Sequence, residues 1–230
     1  MIERFAIYLA PEPDTAVWRF GTSWLGRDPE TGPCTTKRLG LPVGLHSAIT
    51  VTPARYGFHG TLKPPFRLAD GATVAALLGA LDRFASQRPA FDAPPVVLGA
   101  LNSFLALVPD GDVAALEGLA ADCVRAFDEF RAPLSDAEIA RRNPDALTPG
   151  QQENLTNWGY PYVLNDFRYH MTLTSKLDKG EMARIRPVLE TATKALRVIP
   201  LPVRSVALYH EPAPGVAFHL VRRFPLKQPG

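Results

Sequence analysis

One four-residue pattern occurs twice in this chain, about half its length apart: "HGTL" at 59–62 and "HMTL" at 170–173. Each sets a His and a Thr two positions apart and runs on into Leu. In an extended strand, side chains alternate faces with period two. His59 and Thr61 therefore share one face, and His170 and Thr172 share another, while Phe58, Gly60 and Leu62, and likewise Met171 and Leu173, point the opposite way. Two strands of this design, each polar on one side and apolar on the other, need sheets that bury the apolar backs. Hydrophobic residues are 46% of the 230 and charged residues 21%, enough for one such core and unlike a disordered chain.

The rest of the chain supplies elements around the two strands. "RFAIYLAP" (4–11) reads as a strand closed by Pro, followed by a helix through 15–26 with Asp14 as its cap and Gly26 as its end. Residues 27–47 are rich in Pro, Gly and Thr and read as loop. "GATVAALLGALDRFASQRP" has helical periodicity with Thr73 as cap. Two apolar runs around "NS" at 102–103 give a hairpin signal, and 112–131 forms a second amphipathic helix. Residues 132–165 read as an insertion with short helices capped by Ser135 and Thr148, either a wall or lid for the second motif or a structural excursion. Trp158, Tyr160 and Tyr162 in it supply stacking surface or a small satellite core. Residues 179–196 read as a helix that Pro187 kinks or splits, and the chain closes on a hairpin with "APG" in its turn. Each half thus runs strand with His-x-Thr, helix, hairpin. Recurrent hairpins and irregular alternation indicate an α+β fold with antiparallel sheets. The expected organisation is a single domain over 1–230, with lobes of roughly 1–110 and 111–230 and the insertion at about 132–165.

If the two strands face one cleft, they offer two imidazoles and two hydroxyls to a phosphodiester. Attack at phosphorus needs a base for the incoming water or sugar hydroxyl and an acid for the departing oxygen, and His serves both near neutral pH. Thr hydroxyls donate to the non-bridging oxygens as charge builds. The candidate catalytic residues are therefore His59, Thr61, His170 and Thr172. By the same alternation Lys63 joins the first polar face, and Arg168, Thr174 and Lys176 join the second. Tyr56 and Arg55 precede the first motif. Arg168, Lys63, Tyr56 and Lys176 are the candidate substrate-binding residues.

Other chemistries find less support. There is no HExxH and no carboxylate at ligand spacing to the motif histidines, so neither metal nor cofactor is expected. His46, in a loop-like stretch, and His210 and His219 read as structural or surface residues. No GxSxG or GxxxxGK[ST] occurs. The formal net charge of +2 and scattered Lys and Arg suit a small anionic ligand rather than extended nucleic acid. Two cysteines with no CxxC spacing, a start without a signal-peptide pattern and no apolar run near the ~20 residues of a membrane span lead us to expect a cytoplasmic monomer away from the membrane.

The paired His-x-Thr-hydrophobic motifs resemble those of the 2H phosphoesterase superfamily. Their flanks, "RYGFHGTLKPPFRL" and "FRYHMTLTSKL", resemble the branch of phosphonate-metabolism proteins encoded beside carbon–phosphorus lyase genes. The resemblance covers most of the chain. It implies a bilobal fold with pseudo-twofold symmetry, two antiparallel sheets around a central cleft and helices outside. It also implies metal-independent hydrolysis of a small cyclic or linear ribose or nucleotide phosphodiester, with the two His as base and acid. Alternatives are a 2′,3′-cyclic phosphodiesterase or ligase-like activity on RNA ends, and a non-catalytic phosphosugar-binding protein.

Overall fold

A computed structural model describes residues 3–228. In chain order the elements are β1 (Arg4–Leu9), α1 (Ala16–Leu25), β2 (Arg27–Asp28), β3 (Gly32–Pro33), α2 (Val43–Tyr56), β4 (Gly60–Phe66), α3 (Val74–Ser86), β5 (Phe91–Ala93), β6 (Val96–Leu101), β7 (Phe104–Pro109), α4 (Ala114–Ala126), α5 (Asp136–Ala140), α6 (Pro149–Trp158), β8 (Met171–Thr172), α7 (Lys179–Thr193), β9 (Leu201–Val203), β10 (Ser205–Glu211) and β11 (His219–Pro225). The α+β class with antiparallel sheets holds. The main sheet has seven strands in the order β11-β10-β1-β4-β8-β7-β6, and β2-β3 and β5-β9 form two small pairs. The two strand sets expected on either side of a cleft meet edge to edge in that sheet, at the single pair Gly60–Met171 between β4 and β8.

Strand pairing does not follow the halves of the chain. The C-terminal hairpin β10-β11 lies against β1, beside the first motif, while the β6-β7 hairpin of the first half lies against β8, beside the second. A hairpin pairs wherever an open strand edge and a matching apolar face await it, and here each edge is closed by the other half's hairpin.

Local chemistry explains most element boundaries. Thr15, rather than Asp14, caps α1 by accepting from the Trp18 N–H, and Gly26 ends the helix at φ +68°. Asn102, at φ +54°, makes the two-residue turn of the β6-β7 hairpin. Ser135 and Thr148 close capping boxes with Glu138 and Gln151. The loop expected over 27–47 and a split of the helix at Pro187 are both overturned. The loop read over 27–47 gives way to the small β2-β3 pair and the start of α2. That helix is masked in sequence by Thr50, Val51, Thr52 and Pro53, yet it buries His46, Ile49, Thr50 and Pro53 at helical spacing. Packing outweighs propensity here. Helix α7 runs on through Pro187 without a break, with Ile185, Leu189 and Thr193 buried on one side. No helix among the described residues is long and apolar enough to cross a membrane.

Strand β4 is bulged. Tyr8 pairs with Thr61, but Ile7 pairs with Lys63, so Leu62 is an extra residue and the faces exchange after Thr61. Lys63 therefore leaves the His59/Thr61 face. Its side chain is 1% exposed, and its ammonium donates to the Val124 carbonyl at 3.0 Å and to Asp128 at 3.3 Å beneath α4.

Candidate active site

Register alone assembles the centre. With Gly60 opposite Met171, one step either way along antiparallel strands sets His59 across from Thr172 and Thr61 across from His170. All four lie on the face opposite Gly60 and Met171, as two His/Thr pairs running in opposite directions. Gly60 itself is required by the other face. A Cβ built there would stand 2.4 Å from the ring of buried Tyr169.

Both imidazoles are held by the same local device. The His59 Nδ1–H donates to the Gly57 carbonyl at 2.8 Å, and the His170 Nδ1–H donates to the Arg168 carbonyl at 2.7 Å. With Nδ1 carrying the proton, each Nε2 is left with its lone pair. The Thr61 hydroxyl, 3.3 Å from the His59 Nε2, donates to it. Gly57 supplies its carbonyl from φ +78°, at the sharp turn between α2 and the first motif, a conformation that glycine adopts without strain. Tyr8, 1% exposed, stacks flat on His59 with ring centroids 3.6 Å apart and planes at 13°. Phe104 lies against His170 at 5.8 Å.

This environment disfavours imidazolium. Burial lowers His59 to about 4, partly opposed by the Gly57 carbonyl and reinforced by the neighbouring His170. Burial lowers His170 too, against the pull of the Arg168 carbonyl. The coupling is itself a mark of proximity between the motifs. Among the described residues no group of three or more His, Cys, Asp or Glu gathers. The donor set is two imidazoles and two hydroxyls.

The expected binding residues fare unevenly. Tyr56, the last residue of α2, is half-buried with its ring 6.4 Å from that of His59. Arg168 has an exposed side chain, and its documented link to the site is the carbonyl that orients His170. Lys176 is exposed too. Thr174 is buried and its hydroxyl accepts from the Leu105 N–H at 2.9 Å, so it braces β7. Lys63 is removed by the bulge. Sequence reasoning missed Tyr8, although Arg4, Ala6 and Tyr8 alternate on one side of "RFAIYL". It also left open the insertion, where burial raises the Tyr160 pKa against the opposing pull of Arg142, with smaller upward contributions from Tyr162 and Tyr56. Tyr160 packs under the Arg142 guanidinium at 4.7 Å and edge-on to Tyr162 at 5.7 Å.

Residues 61–219 match the family described as "Protein of unknown function (DUF1045)". The chain belongs to this family. A protein from Janthinobacterium sp. (strain Marseille), named ribose 1,5-bisphosphate phosphokinase PhnN, is 36% identical over 234 residues, covering 99% of this chain and 51% of its own. One of the same name from Laribacter hongkongensis (strain HLHK9) is 35% identical over 222 residues, covering 95% and 51%. The chain thus spans about half the length of the curated relatives it matches. Among solved structures, a conserved protein of unknown function from Agrobacterium tumefaciens str. C58 shares the fold at 14% identity, with 97% and 87% of the two chains aligned and a TM-score of 0.50. These matches show the chain's family, and the Agrobacterium tumefaciens structure shows a shared fold.

Proposed function

We propose that this protein is a phosphodiesterase that opens a small cyclic, or cleaves a small linear, ribose or nucleotide phosphodiester, with His59 and His170 as its proton-transfer pair. The observation that carries the reading is the Gly60–Met171 register, which supports a single site made of two His/Thr pairs. Each imidazole keeps Nδ1 on a carbonyl and so has Nε2 available for chemistry. Neutral His59, lowered to about 4, suits the base that takes a proton from water. The oxygen of that water bonds to phosphorus, and the bond from phosphorus to a ribose oxygen breaks. His170, nearer solvent, takes up a proton beside the anionic phosphate and passes it to the departing oxygen. Thr61 and Thr172 donate to the non-bridging oxygens. The product is a phosphomonoester; His59 ends holding the proton taken from water and His170 ends neutral, so the proton gained by one balances the proton given up by the other.

The relatives' name supports a phosphorylated ribose as substrate and a place in phosphonate metabolism. The kinase activity in that name belongs to proteins about twice as long, and this chain has no GxxxxGK[ST] segment to cradle a nucleotide's phosphates. The test is a panel of ribose cyclic phosphates and nucleoside 2′,3′-cyclic phosphates followed by phosphorus NMR, which identifies both substrate and bond cleaved. His59→Ala and His170→Ala should each lower kcat/KM by about 10²–10⁴-fold, with wild-type activity unchanged in chelator. Near wild-type turnover in either single variant would sink the two-histidine mechanism.

A further inference from the structure

Beyond the His/Thr square, the same face of the sheet carries a group of charges that proton transfer does not use. In β1, Arg4, Ala6 and Tyr8 alternate onto one side, and Arg4 pairs across the ladder with Glu211 of β10. Glu211 is fully buried, and its carboxylate accepts from Arg4 Nε at 2.5 Å and from the Gly215 N–H at 3.2 Å. A second guanidinium, that of Arg55 at the end of α2, stands 3.8 Å from the same carboxylate. Two cations on one anion leave a net charge of about +1. One guanidinium suffices to neutralise a buried carboxylate, so the second is surplus to that task.

Arg55 also faces the site. Its Nη2 donates to the Tyr56 hydroxyl at 2.8 Å and its guanidinium lies 4.8 Å from the Tyr56 ring, while its buried Nε has no hydrogen-bond partner. Tyr56 stacks on Phe218 at 5.1 Å, the Arg4 guanidinium lies 5.7 Å from Phe218, and the Tyr56 ring is 6.4 Å from that of His59. Both arginine side chains are partly open to solvent, at 28% for Arg4 and 35% for Arg55. The layout is a guanidinium pair separated from the reacting imidazole by one aromatic ring, the scale of one sugar.

We propose that Arg4 and Arg55, braced by Glu211, form a second anion subsite that binds a non-reacting phosphate on the substrate, so that the preferred substrates carry two phosphates. The assignment rests on the reading of His59 and His170 as the reacting centre. A planar guanidinium with unspent donors suits a terminal phosphate, and Tyr56, backed by the fully buried Phe218, gives the intervening sugar an aromatic wall.

Binding and turnover separate the two ideas. Adenosine 2′-monophosphate and adenosine 2′,5′-bisphosphate serve as product-like probes in calorimetry at about 0.15 M salt, near physiological screening. Adenosine 2′,3′-cyclic phosphate, with and without a 5′-phosphate, serves in the rate assay. Wild-type protein should bind the bisphosphate at least about tenfold tighter and show a lower KM for the 5′-phosphorylated diester. Arg55→Gln and Arg4→Gln should each shrink that preference to about two- to threefold, as a ratio between the two probes. Arg55→Lys, which keeps a charge beside Glu211 and loses the fork, should be intermediate, and it decides the matter if thermal melting finds Arg55→Gln unfolded. Equal binding of both probes by the wild type, or a preference untouched by all three substitutions, overturns the subsite. A preference without turnover of any diester keeps the subsite and overturns the hydrolase reading; turnover without a preference does the reverse.

Discussion

His59 and His170 use identical means at unlike depths. Each is turned by a carbonyl two residues earlier, which fixes Nδ1–H and frees Nε2, and each is kept neutral by burial. That neutrality has a cost in acid. A His whose folded pKa lies below its unfolded value of about 6.5 stabilises the fold above that value and loses the contribution as pH falls through the folded pKa. Unfolding free energy from urea titrations should therefore decline between about pH 6.5 and pH 4. His59→Gln, which cannot take up a proton, should flatten part of the slope. An unchanged slope would mean that His59 is not depressed in solution. At this scale the sequence is informative about the residues of the square, since His-x-Thr spacing is a local property of one strand. It misplaces Lys63, because nothing in "HGTLKPPF" announces the bulge at Leu62 that turns the ammonium toward Asp128. It is silent on Tyr8, which reaches His59 only because β1 and β4 are neighbours.

Among the elements, the two motif strands differ at their second residue, Gly60 in one and Met171 in the other. The reason lies on the back of the sheet, where the Tyr169 ring crosses the position a Gly60 side chain would fill. Gly60→Ala should cost about 1–3 kcal/mol through overpacking, measured by denaturant unfolding. Trimming Tyr169 to Leu in the same chain should recover part of that loss as a positive coupling. Additive losses would rule out the clash as the cause. Capped elements such as α6, with Thr148, Pro149 and Gly159 in their usual places, are legible because caps are local. Helix α2 is not, because Thr50, Val51 and Pro53 disguise it and only burial of His46 and Ile49 against the core holds it together.

Taken whole, the molecule is interleaved: the C-terminal hairpin closes the N-terminal strand's edge, and the site spans residues from both halves. Ending the chain after Val203 removes β10 and β11 with buried Tyr209, Phe218 and Phe224, and exposes β1 as a bare edge. Such a chain should lose cooperative thermal unfolding and near-ultraviolet dichroism. A sharp transition within a few degrees of the full chain would show that the chain up to Val203 folds independently of that hairpin.

By itself the sequence determined the fold class, the hairpins, the N-caps of α3, α5 and α6 and the two His/Thr pairs, because alternation, capping and turn chemistry act over a few residues of covalent chain. Only the tertiary structure decided which strands are neighbours, in what register they meet and where a bulge reverses a face. Those choices set His59 opposite Thr172, stack Tyr8 on His59, withdraw Lys63 and bring Arg4 and Arg55 to one carboxylate. They depend on how surfaces distant in sequence pack together, and no stretch of the chain encodes them alone.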